Sequence, residues 1–235
     1  MRRLAAIESA RGSFEQATEA IERATGVRVG KRQMEQLARA AAVDVDGFYA
    51  QRRPGPRPDT DLLVLTADAK GIVMVPAALR EATRTAGAGR RNKLATRLSP
   101  GEKTGRKRMA ELGCVYDATP VPHTPGDIIA RPGRRPDPNA AADQSPRAKW
   151  LTASVTDDIP AVIGQVFDEA TRRDPQHQRT WVALVDGHRQ QIDAIKAEAT
   201  RRQVTVHIVV DFVHVLEYLW KACRRTCPRA EARAR

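Results

Sequence analysis

No part of the chain restricts its fold more than the stretch from Thr180 to Trp220, which reads strand, helix, strand, helix. Trp181–Val185 is a short apolar run that stops at Asp186 and Gly187, after which Ile192, Ile195 and Ala199 recur at helical spacing. Val204–Val210 is apolar and rich in β-branched residues. It too ends on an aspartate, Asp211, with His214 close behind. Leu62–Ala67 is a third such run and ends on Asp68. An ionisable side chain just past the C-terminal end of a buried strand stands at the rim of the sheet, where open α/β folds place their ligands. Three strands that each end on a carboxylate point to one acidic site.

Charge narrows the partners. Forty Lys and Arg against 28 Asp and Glu give a net charge of +12, a balance that favours nucleic acid or another anionic surface. Coding biased toward Arg and Ala would write the same balance. No apolar stretch approaches the ~18 residues of a membrane span, and the basic start lacks a secretory apolar region. The expected location is therefore the cytoplasm, at the nucleoid when bound to DNA. Cys114, Cys223 and Cys227 are too few for a disulfide scaffold. Cys223 and Cys227 with His214 make a weak zinc pattern beside the plainer reading of two partly buried thiols.

Residues 1–51 read as a small helical domain. Ser13 and Gln16 form a capping box, and Phe14, Ala17, Ala20, Ile21 and Ala24 share one face. Gly26 breaks that helix, and a second runs over Lys31–Ala42. Helix, glycine turn, helix is the helix-turn-helix outline, and it puts Lys31, Arg32 and Gln33 where a recognition helix meets DNA. A plain helical hairpin gives the same pattern. Residues 52–60, rich in Arg and Pro, form a stiff linker.

Residues 61–235 then carry an α/β domain. Leu62–Ala67 and Gly71–Val75 are expected as a hairpin turning at Ala69 and Lys70, with Glu111–Ala118 as the third strand. Basic loop insertions are expected at about 80–108 and 120–150. A helix with Ile159, Val162, Ile163, Val166, Phe167 and Ala170 on one face precedes the final strand–helix pairs. Three antiparallel strands followed by two parallel ones is the order of the ribonuclease-H-like fold. Asp68 and Asp186 fall at the two places where that fold carries metal carboxylates. Such carboxylates hold hard ions, Mg²⁺ or Mn²⁺, which activate an attacking oxygen and stabilise the leaving one. Asp186-Gly187 before a helix is equally a good N-cap sequence. His188, and Asp211 with His214, lie beside this site as accessory groups or as local caps.

Four segments carry a resemblance: ADAKGIVM at 67–74, RKRMAELGCVYDATPVP at 106–122, RTWVALVDGHRQQID at 179–193 and VVDFVHVLEYLWKA at 209–222. They resemble the DDE-type transposases of bacterial insertion sequences, nearest to the Kra-type group and its Mutator-like relatives. The resemblance implies a protein that binds terminal inverted repeats and target duplex DNA, assembles as a homodimer on it, and cuts and joins strands. It places catalytic, metal-binding aspartates at Asp68 and Asp186, with Asp211 and His214 matching an accessory Asp-x-x-His motif. Arg106, Lys107 and Arg108 join Lys31, Arg32 and Gln33 as DNA contacts. The family's third acid is a glutamate beyond a helical insertion. The chain reaches Arg235 soon after that insertion would begin, so a truncated protein with impaired cleavage is expected, Glu217 being a weak stand-in. Ala69 departs from the family's glycine. The alternative is a catalytically inactive DNA-binding regulator. A doubly wound small-molecule enzyme finds no support, since both Gly-rich phosphate loops are absent.

Overall fold

The computed structural model describes residues 1–52, 54–55, 57–74, 81, 107–122 and 146–226. Its contacts divide the chain into two units, Met1–Gly55 and Pro56–Arg235. In the first, α1 (Arg2–Arg11), α2 (Phe14–Thr25) and α3 (Lys31–Ala42) pack together, followed by α4 (Val45–Gln51). The capping box forms: Ser13 Oγ accepts the Gln16 N–H at 3.2 Å, and Gln16 Oε1 accepts the Ser13 N–H at 3.0 Å. Gly26 ends α2 at φ +69°, a left-handed turn that favours glycine. The small core is Ala5, Ala17, Ile21, Val29 and Met34. Ala5 comes from α1, a helix not legible in the sequence because its apolar stripe is mostly alanine.

The second unit is an α/β domain around a five-stranded mixed sheet of order β3-β2-β1-β4-β5. The strands are β1 (Leu62–Val73), β2 (Lys107–Ala118), β3 (Arg147–Ser154), β4 (Trp181–Val185) and β5 (Val206–Val210). β1, β2 and β3 are antiparallel neighbours; β4 runs parallel to β1, and β5 parallel to β4. Helices α5 (Ile159–Arg173) and α6 (Arg189–Arg202) pack on the sheet and on each other, and α7 (Phe212–Thr226) follows β5. The core is built from alternate strand positions, Leu63, Leu65, Ala67, Val115, Trp181, Ala183 and Val185, against Ile163, Val166, Phe167 and Ala170 of α5. α5 lies so close to β2 that a Cβ at Gly113 would come within 2.4 Å of Val166 Cγ2. Trp181 is fully buried, and its indole N–H is satisfied by Asp174 Oδ2 at 2.9 Å.

Three expectations are corrected here. There is no hairpin at Ala69–Lys70: β1 runs unbroken to Val73, because β2 pairs with it residue by residue as far as Val73↔Lys107. Asp68 therefore lies within the strand, not past its end. The Glu111–Ala118 run belongs to β2, and the third strand is Arg147–Ser154, which starts within the second insertion expected at about 120–150 and runs past it. Lys107 and Arg108 likewise lie on β2 instead of in an insertion. The rest of the first insertion, Arg106 included, lies outside the described residues apart from position 81, and so do positions 123–145 of the second.

Arg202 fastens α6 to α5. It donates to Asp168 Oδ1 at 2.7 Å and to the Gly164 carbonyl, and its guanidinium stands 5.7 Å from the Phe167 ring centroid. Glu198 orients it, and hydrogen bonds from Arg201 and then Arg202 hold the Glu198 carboxyl at about 2, below its ordinary 4.5. A depressed carboxylate contributes stability above its unfolded value and loses it as pH falls through the folded one. Glu198→Gln should therefore lower stability most above pH 4.5, with the difference from the parent closing toward pH 2 in urea titrations. A difference constant with pH would contradict this assignment.

Candidate functional site

Two parallel ladders place the aspartates. β1 and β4 are in register from Leu63↔Trp181 to Thr66↔Leu184. Continued by two residues, that register sets Asp68 level with Asp186. β4 and β5 are in register to Val185↔Val210, so Asp186 stands level with Asp211. Neighbouring strands lie ~4.8 Å apart. The three aspartate positions thus form one row across three adjacent strands, its ends about 10 Å apart at the backbone. Alternation puts them on one face: Ala67, Val185 and Val210 share the parity of the helix-side core, and the aspartates take the opposite parity.

Each aspartate also accepts a backbone N–H close by in the chain. Asp68 is exposed, and its Oδ1 accepts the Ala69 N–H at 2.7 Å. Asp186 is half-buried, and its Oδ1 accepts the His188 N–H at 2.9 Å, with Gly187 at φ +95° making that sharp turn. Asp211 Oδ1 accepts the Val213 N–H at 2.9 Å, and Oδ2 lies 3.0 Å from His214 Nδ1. That hydrogen bond pushes the His214 pKa up, helped by the charges of Asp211, Asp186 and Glu217. His214 is thus electrostatically part of the row. His188 is exposed at the start of α6 and makes no side-chain cap bond.

Donor chemistry suits a hard divalent cation, since the row offers carboxylate oxygens alone. Among the described residues, no group of three or more His, Cys, Asp or Glu side chains is close enough to cage an ion. Asp68 and Asp186 each spend one carboxylate oxygen on a backbone N–H, which leaves the other as the ligand a cation would take. Glu217 lies on α7 in an exposed ion pair with Lys221 at 3.1 Å. Cys223 is exposed and Cys114 half-buried, its thiol pushed up chiefly by burial; Cys227 lies outside the described residues.

The sequence reading passed over Glu111. It is buried on β2 opposite Ala69, and burial raises its carboxyl above the ordinary range, against a hydrogen bond from Gln191 and the charge of His188. Gln191 is itself fully buried in the first turn of α6. The pair spans from β2 to the helix that follows Asp186 and fixes where that helix starts. The signal was present in the strand: Glu111 shares the parity of Val115, an inward position that rarely carries an unpaired acid.

Of the expected DNA contacts, Lys31, Arg32 and Gln33 are exposed in the first turn of α3, Lys31 in an ion pair with Glu15 at 2.7 Å. Lys107 and Arg108 fall on β2 beyond the level of Asp68, at the positions paired with Val73 and Ile72. No helix among the described residues is long and apolar enough to cross a membrane. Compared with protein-family models and with curated proteins, the chain matches none.

Proposed function

We propose that this is a DNA-binding protein of the insertion-sequence transposase kind. Its sheet is read as ribonuclease-H-like, with a Mg²⁺- or Mn²⁺-dependent site for strand cleavage and transfer. The observation that carries the reading is the alignment of Asp68 with Asp186 on neighbouring parallel strands, from segments far apart in the sequence. In this reading Asp68 and Asp186 would hold the cation that a phosphodiester meets. Asp211, bonded to His214, steadies the far end of the row. A cation held there would supply Lewis-acid stabilisation of the negative charge that develops on the phosphoryl and leaving oxygens. Arg32 and Gln33 on α3 meet the duplex, with Lys31 beside them, and a homodimer on DNA is the expected assembly.

A second reading is favoured by the local backbone hydrogen bonds of all three aspartates. There the carboxylates are structural and the chain is a DNA-binding regulator. Gel-shift titration over a range of salt tests what the two readings share. Log affinity should fall with log salt by about 0.9 per phosphate contact, and Arg32→Ala should lower the slope by about 1. Binding indifferent to salt would overturn both readings. Loss of a cation site in Asp186→Asn with DNA binding kept would decide for the first.

A further inference from the structure

We infer that the end of the β1–β2 ribbon beyond Asp68 is the surface that holds duplex DNA against the aspartate row. This rests on the nucleic-acid reading above and adds an element to it. β1 and β2 stay paired from Leu62↔Ala118 to Val73↔Lys107. Their outer neighbours stop short: β4 pairs with β1 only to Thr66↔Leu184, and β3 pairs with β2 only to Glu111↔Ser154. Among the described residues, positions 70–73 and 107–110 therefore form a two-stranded ribbon without a third strand. At ~3.4 Å per residue it continues roughly 14 Å past the sheet.

A two-stranded ribbon is marginal in water by itself, and its edges, unpaired among the described residues, can take a partner. Its composition says which. Lys70, Lys107 and Arg108 are cationic, and no acid lies among positions 70–73 or 107–110. Lys70 is exposed, as are Ile72 and Met109. A second copy adding strand to strand would bring like charges together, which is destabilising, whereas a polyanion is complementary. Register decides the face. The pairs Lys70↔Ala110 and Ile72↔Arg108 put positions 70, 72 and 108 on the same side as Asp68. The first cation thus stands about 7 Å along the strand from the first carboxylate. A two-stranded ribbon also has the cross-section that the major groove of B-DNA admits. The geometry brings acid and base into one line: a duplex gripped by the ribbon presents a phosphate to the row.

The test uses the full chain and a duplex DNA. Affinity is measured over a salt series for the parent, for Lys70→Ala/Arg108→Ala and for Arg32→Ala, with circular dichroism as the folding check. The ribbon variant should fold as the parent does and lose about 2 from the log–log salt slope, about 1 per contact. Lys70→Gln alone should lose about 1, which keeps the test open if the double variant fails to fold. A parent that binds with salt dependence while both ribbon variants keep its slope would overturn the ribbon and spare the functional reading. A parent without salt-dependent binding would overturn the functional reading itself. Crosslinking of Ile72→Cys between copies in the absence of DNA would assign the ribbon to self-association and overturn the inference.

Discussion

Asp117→Ala is expected to cost the α/β unit about 3–5 kcal/mol, the range for removing one partner of a buried ion pair. Asp117 is 1% exposed on β2, with Arg179 Nη1 at 2.8 Å, Arg173 Nη1 at 3.5 Å and Arg57 Nε at 3.8 Å. The side chains of Arg173 and Arg179 are 3% and 6% exposed, so alanine leaves two guanidiniums in the interior with no charge facing them from β2. Each keeps part of its support. Arg173 stays with Glu169 at 2.6 Å, and Arg179 donates to the carbonyls of Asp61 and Leu62. The loss should therefore fall toward the lower end of that range. The cluster joins the end of β2, the end of α5 and the approach to β4, which is why one residue carries so much. Urea unfolding should show a lower midpoint at unchanged slope. A change under about 1 kcal/mol would mean the guanidiniums reach water once the carboxylate is gone.

The second large effect is a reversal of sign. Carboxylates on neighbouring strands repel, by about 1 kcal/mol per pair at a solvated rim. Without divalent ions, Asp68→Asn and Asp186→Asn should each leave the protein as stable as the parent or slightly more so. With Mg²⁺ or Mn²⁺ at 100 times the dissociation constant, the parent should gain about 2.7 kcal/mol, and neither variant should gain it. Thermal melts with and without the ion measure both halves. Asp211→Asn should give a smaller loss, because that carboxylate is already engaged by Val213 and His214. A parent whose melting point ignores both ions would favour the reading in which the aspartates are only structural.

Much of this architecture is legible in the sequence wherever apolar periodicity is strong. Trp181–Val185 and the inward stripe of α5 announce themselves. β3 does not, because its inward positions are Ala148, Trp150, Thr152 and Ser154, a single large apolar residue among small and polar ones. The middle of β1 reads as a turn because Ala69 and Lys70 have low strand propensity and Gly71 follows them; the partner strand overrides them. The aspartates could be named one by one, but their alignment depends on two ladder registers that no local pattern encodes. Glu111 and the Asp117 cluster escaped for a related reason. Acids in an alternating strand read as solvent-facing until the helix above them is placed.

Titrating Mn²⁺ into the parent while following its histidine ring resonances asks whether Asp68 and Asp186 share a cation. Strong paramagnetic broadening is expected at His188 and His214, which flank the row, and weaker broadening at His177, at the turn between α5 and β4. That broadening should vanish in Asp68→Asn and in Asp186→Asn. Broadening that persists unchanged in both variants, or that never favours His188 and His214, would contradict a shared cation.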